Sequence, residues 1–130
     1  MSMKRILAGM MLVCGMASTS QAASLLASDP AFGGPASNRV ICMITNSGST
    51  NITFLQTMIR SQFINPLQLS FNDCVGVQRP GGICSFQAAV IDKRPALACQ
   101  AVIEEAKTNV RGTLEILSPT NTVLSEVPIR

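Results

Sequence analysis

From Arg39 onward, apolar and polar residues alternate in short runs, and turn-forming residues close each run. Arg39 to Thr45 sets Val40, Cys42 and Ile44 on one face. Asn51 to Ile59 sets Ile52, Phe54 and Met58 on one side and Leu55 and Ile59 on the other. Leu67 to Asn72 alternates Leu67, Leu69 and Phe71 with Gln68, Ser70 and Asn72. Ile83 to Ile91 carries Cys84, Phe86, Ala88 and Val90 in phase, and Leu97 to Ile103 carries Leu97, Cys99, Ala101 and Ile103. Gly112 to Leu117 holds Leu114 and Ile116, and Thr122 to Ile129 holds Val123, Leu124, Val127 and Ile129. A period of two is that of a strand with one buried face. The punctuation is Asn46-Ser47-Gly48-Ser49, Asn65-Pro66, Arg79-Pro80-Gly81-Gly82, Asp92-Lys93-Arg94-Pro95, Asn109 to Gly112 and Ser118-Pro119-Thr120-Asn121. In the third of these, Pro80 and Gly81 suit the two central positions of a type II turn. About seven short strands with turns every 8–12 residues predict an all-β fold, an antiparallel β-sandwich.

One segment supports two readings. Pro95 to Lys107 is rich in Ala, Glu and Lys with Pro near its start, which suits a helix. Ala98, Ala101, Val102 and Ala106 fit a helical face about as well as Leu97 to Ile103 fits a strand.

The beginning of the chain follows another pattern. Lys4 and Arg5 precede an uncharged run from Ile6 to Ala17, then polar Ser18 to Gln21, then Ala22 and Ala23. This is the layout of a secretory signal, with Ser20 and Ala22 as the small residues ahead of a cut after Ala22. Cutting after Ala23 and acylation of Cys14 are the alternatives. The run is short for a membrane span, which needs about 20 apolar residues. The division is therefore a signal over 1–22, a flexible leader over 23–38 rich in Ser, Ala, Gly and Pro, and a domain over 39–130. The full chain has 10 Lys and Arg against 7 Asp and Glu. Without Lys4 and Arg5 the balance is 8 against 7, a net charge of +1. Nucleic-acid binders carry clustered basic residues, so no nucleic-acid partner is expected, and no membrane once the signal is removed. Lys93-Arg94 reads as a solvated turn.

Export leaves Cys42, Cys74, Cys84 and Cys99. An even set outside the cytosol reads as a disulfide framework. There is no His and no Cys-x-x-Cys pair, and the gaps of 31, 9 and 14 residues match no zinc module. Strand parity favours Cys42–Cys99 with Cys74–Cys84, because Cys42 and Cys99 share parity with the inward residues around them. Cys42–Cys74 with Cys84–Cys99 is the alternative. Loop closure gives the long link about 4 kcal/mol and the short one about 3 kcal/mol.

The order of these features resembles a family. Cys42 to Gly48 is a strand running into an Asn-x-Gly turn, and Cys74 is followed by Arg79-Pro80-Gly81-Gly82-Ile83-Cys84. Ala98-Cys99-Gln100-Ala101, Val110-Arg111-Gly112-Thr113-Leu114 and a strand ending in Pro128-Ile129-Arg130 come next. Arg39 to Arg130 thereby resembles small secreted bacterial-type two-disulfide proteins of unassigned function, and loosely the Ig-like modules of the ASPM/SPD-2/Hydin kind. The resemblance implies an Ig-like β-sandwich and transfers no catalytic residue.

Composition removes most chemistry. Without His the usual general base and nucleophile activator are missing. Without Tyr or Trp the best stacking platforms are missing as well. Glu104 and Glu105 are adjacent, so on a strand they point to opposite faces and cannot flank one bond. Asp73 and Asp92 sit at turns, where Asp bonds its own backbone. Arg111 before Gly112 reads as an exposed strand-start residue, with anion binding or pairing with Glu115 as its other roles. Asn51-Ile52-Thr53 is a glycosylation sequon, relevant only in a glycosylating host. No enzyme activity, metal or cofactor is expected. The expectation is a secreted or periplasmic module that binds a protein partner through edge strands or loops. Two alternatives are a fibre subunit exchanging the strand Thr122 to Arg130, and a protease inhibitor presenting the Cys74 to Cys84 loop.

Overall fold

The computed structural model describes residues 22–62, 64–90 and 96–130. The signal lies outside the described residues except for Ala22, as do Cys14, Asp92 and the Lys93-Arg94 turn. Among the described residues the chain forms nine strands and no helix. They are β1 (Ser24–Ala27), β2 (Arg39–Asn46), β3 (Ile52–Ser61), β4 (Phe71–Asn72), β5 (Gly76–Gln78), β6 (Ile83–Ala89), β7 (Leu97–Ile103), β8 (Val110–Leu117) and β9 (Val123–Ile129). Two antiparallel sheets result, one ordered β1-β7-β3-β5 and the other β4-β6-β2-β8-β9. The doubtful segment is strand: Leu97 to Ile103 alternates strictly between buried and half-buried positions.

The inward residues follow from the alternation. Val40, Cys42 and Ile44 of β2, Cys84, Phe86 and Ala88 of β6, and Leu114 and Ile116 of β8 are buried in one sheet. Ile52, Phe54 and Ile59 of β3 and Leu97, Cys99, Ala101 and Ile103 of β7 are buried in the other. The Cys42–Cys99 disulfide joins β2 to β7, so the two inner faces meet across the core. The Cys74–Cys84 disulfide ties the connection between β4 and β5 to β6. A sandwich arrangement explains why every second residue of these strands loses solvent.

Several expectations need correction. The 23–38 segment is part of the fold rather than a leader to it. Ser24 to Ala27 pairs with Ile103 to Gln100, Leu26 is fully buried, and Ala31 and Leu97 exchange backbone bonds of 2.8 and 2.9 Å. Here hydrogen bonding and one buried leucine outweigh a loop-like composition. In β3 the register shifts between Phe54 and Gln56, a bulge at Leu55. The extra residue reverses the parity. Phe54 and Ile59 are therefore both buried, Leu55 is exposed, and Met58 leaves the side it was expected to share with Phe54.

Leu67 to Asn72 is strand only at Phe71–Asn72. The Leu67 N–H bonds Ile59 of β3, while the Ser70 N–H bonds Gln87 of β6. The segment thus crosses from one sheet to the other and cannot complete a ladder in either. Leu67 is buried, but Phe71 points out. β5 was not expected, because its pattern is inverted: Val77 is exposed and Gln78 is buried.

The turns act as their residues suggest. Gly81 has φ 80°, and the Gly82 N–H donates to the Arg79 carbonyl at 2.9 Å, which makes a type II turn with Pro80 in its first central position. Asn46 is 1 % exposed and fully used. Its Nδ2 donates to the carbonyls of Thr50 and Gln78, and its Oδ1 accepts from the Gly48 N–H.

Candidate functional site

Two of the carboxylates singled out in the sequence, Glu105 and Asp73, accept backbone N–H groups. Glu105 accepts the Thr53 N–H at 2.7 Å and the Thr53 hydroxyl at 3.0 Å, tying the end of β7 to the start of β3. The sequon hydroxyl is thereby occupied. Glu104 is exposed, with its N–H on the Thr53 carbonyl; both glutamates lie in the bend after β7 rather than on a strand, so the opposite faces expected of a strand do not apply to them. Asp73 accepts the Ser85 N–H at 2.7 Å and donates its own N–H to the Ser85 carbonyl at 3.0 Å. Its carboxylate lies within 4.8 Å of the sulfurs of Cys74 and Cys84. Those sulfurs are bonded to each other, so they offer no thiolate to a metal.

Arg111 is brought into a group that the sequence did not announce. A cleft of about 540 Å³ is lined by Lys107, Thr108, Arg111, Gly112, Pro128, Ile129 and Arg130. The turn after β7 supplies Lys107 and Thr108, the start of β8 supplies Arg111 and Gly112, and the end of β9 with the residue after it supplies Pro128, Ile129 and Arg130. Arg111 does not pair with Glu115: its Nη1 donates to the carbonyls of Thr108 at 3.1 Å and Val110 at 2.9 Å. Lys107 Nζ donates to the Leu25 carbonyl at 2.9 Å. Gly112 faces Ile129 in the β8–β9 ladder, so Arg111 and Arg130 stand opposite each other one step beyond. No acidic side chain lines the cleft among the described residues.

Register also sets Glu115 directly opposite Glu126. The outer face of the β8–β9 ribbon therefore has a positive end and a negative middle. These pairings are nonlocal, and only the register reveals them. Lys107 and Arg130 carried no signal of their own in the sequence.

A second surface gathers at the free side of β3 and β5. Leu55 is 55 % exposed, Val75 63 % and Val77 60 %. Leu55 and Val75 line one shallow pocket of about 180 Å³ with Gln56, Thr57 and Asn72. The bulge turns Leu55 outward, Val75 stands just before β5, and Val77 is exposed within it. The closed loop between Cys74 and Cys84 is itself built into this sheet, since Gly76 to Gln78 pairs with Phe54 to Ile52.

No helix among the described residues is long and apolar enough to cross a membrane. Two disulfides point to an oxidising compartment. No family model, curated protein or solved structure matches the chain.

Proposed function

We propose that this protein is a non-enzymatic module, exported to the periplasm or beyond, that binds a protein partner on an Ig-like β-sandwich frame. The signal-like start at 1–22 and the two disulfides support export. The observation that carries the binding reading is the apolar corner of Leu55, Val75 and Val77, each more than half exposed. Contiguous exposed aliphatic side chains on a small domain mark an interaction surface. A doubly stapled frame presents such a corner with little ordering cost on binding. The inhibitor reading loses ground because the disulfide loop pairs with β3 and leaves no extended segment for a protease.

The test is site-specific photocrosslinking in the native host. A crosslinker at Val77 captures one defined protein, one at the exposed Thr120 in the β8–β9 turn does not, and Leu55→Asp with Val77→Asp abolishes capture. The reading fails if the two positions capture alike or neither captures, or if the purified protein turns over hydrolase substrates after repurification. N-terminal sequencing of the exported form should begin at Ala23.

A further inference from the structure

We infer that the cleft between the β7–β8 turn and the end of β9 receives a carboxylate from an acidic segment of a partner protein. This deepens the protein-binding reading, but it rests on a different surface.

The first argument is electrostatic. Arg111 and Arg130 stand opposite each other across β8 and β9, and Lys107 lines the same cleft. Like charges directly opposite on a sheet are unfavourable. No acidic side chain of the lining relieves them, nor does Glu115. An incoming anion does.

The second argument is preorganisation. Arg111 Nη1 is held by two backbone carbonyls, and Lys107 Nζ by one. Carbonyls fix these side chains without cancelling their charge. Nε and Nη2 of Arg111 have no partner among the described residues. These two groups form one edge of the guanidinium fork, and that edge matches a carboxylate with two parallel hydrogen bonds. Side chains fixed in advance lose less entropy when a ligand arrives.

The third argument selects the class of anion. An Arg fork also matches phosphate, but many phosphate sites add helix N-termini or nests of backbone N–H groups to their cations. The described chain has no helix, and the Gly112 backbone lies in the β8 ladders. Pro128, Ile129 and Gly112 give the cleft apolar walls beside its cations. A glutamate- or aspartate-bearing peptide, with methylenes next to its carboxylates, fits both features.

The test is amide and Arg Nε–H chemical-shift mapping of the oxidised protein, titrated with a capped hexaglutamate peptide. Inorganic phosphate and hexalysine form parallel arms. The peptide is expected to shift Thr108 to Gly112 and Ile129 to Arg130, and to bind more weakly as salt rises. Arg111→Gln should weaken it about tenfold or more, since a charge-assisted bond is worth about 1.5–3 kcal/mol. Arg111→Lys, which keeps charge without the fork, should fall between. Arg39→Gln is the control, because Arg39 sits six residues along β2 from Thr45, the partner of Arg111, or about 20 Å away. A thermal melt of each variant shows that the fold is intact. The proposal is overturned if the peptide leaves the cleft unshifted, or if phosphate binds there as well as the peptide. Equal weakening by Arg39→Gln overturns it too. So do cleft shifts that grow with protein concentration and vanish in Glu115→Gln with Glu126→Gln, which identify a second copy as the occupant. Loss of crosslinking at Val77 leaves this result untouched, so the two readings fail separately.

Discussion

Removing the Cys42–Cys99 link is the most informative perturbation of the fold. The two cysteines are 57 residues apart, and both are fully buried between the sheets. Loop closure of that length removes about 14 cal/mol/K from the unfolded chain, or about 4 kcal/mol at 25 °C. The Cys74–Cys84 link, with a separation of 10, contributes about 2.7 kcal/mol by the same relation. The variant is Cys42→Ala with Cys99→Val, which keeps the site apolar and refills much of the lost volume. Urea unfolding should show a loss of about 4 kcal/mol, and an unfolding entropy of about 2.1 cal/mol/K per residue converts this to a Tm fall of roughly 15–20 °C. The m-value should rise, since the freed unfolded chain exposes more surface. Cys74→Ala with Cys84→Ala should cost less and leave the cross-sheet core intact. A loss below about 1 kcal/mol from the long link would refute the reasoning. So would a larger loss from the short link.

Three further outcomes follow from the packing. Asn46→Ala should cost about 2–3 kcal/mol, read as a shifted urea midpoint at constant m, because it strands the partners of three hydrogen bonds at a 1 % exposed site. Gly112→Ala should cost about 1–3 kcal/mol by the same measurement. Its Cβ would lie 2.5 Å from the Met43 carbonyl oxygen and 2.9 Å from Ile44 Cδ1, and the Met43 backbone cannot swing away. Glu126→Gln should raise stability by about 0.5 kcal/mol by relieving Glu115, and the gain should shrink in salt, as a melt series at two ionic strengths would show.

Strict alternation made the centre of the fold readable. Val40, Cys42 and Ile44, then Cys84, Phe86 and Ala88, then Leu97, Cys99, Ala101 and Ile103 all point inward as their spacing implies. The disulfide pairing follows from the same parity. Legibility ends where burial stops obeying period two. Leu55 shifts β3 by one residue, and no local signal marks a bulge built from ordinary side chains. β5 shows valine to solvent and buries Gln78, whose Oε1 has no hydrogen-bond partner among the described residues. β1 hides a single leucine in a loop-like composition. The cleft was least legible of all. Lys107, Arg111 and Arg130 meet only because Gly112 faces Ile129, and register between distant strands is a tertiary fact.

The sheet edges bear on how a partner can be held. On one side, β1 leaves β7 and reaches β9: Ser28 bridges Ile129, and Ala27 and Arg130 exchange backbone bonds of 2.9 and 3.1 Å. On the other side the chain passes directly from β4 to β5, with Cys74 fixed to Cys84 and Asn72 Nδ2 donating to Thr57 Oγ1 at 2.9 Å. β5 has a partner on one side only but is three residues long, and the longer open edge is the outer side of β9. Since Arg130 turns its N–H and carbonyl toward Ala27, alternation turns those of Pro128 and Glu126 the same way, away from β8, as far as the register shift at Leu124. Pro128 has no N–H and Glu126 carries a charge, two features that discourage strand addition. Along that stretch an incoming strand would find a donor at Glu126 alone. A subunit that assembles by strand exchange needs a long unfilled edge, and β9 already completes the sheet it belongs to. Recognition by side chains, at the Leu55–Val75–Val77 corner and the Arg111 cleft, therefore suits this frame better than recognition by the backbone.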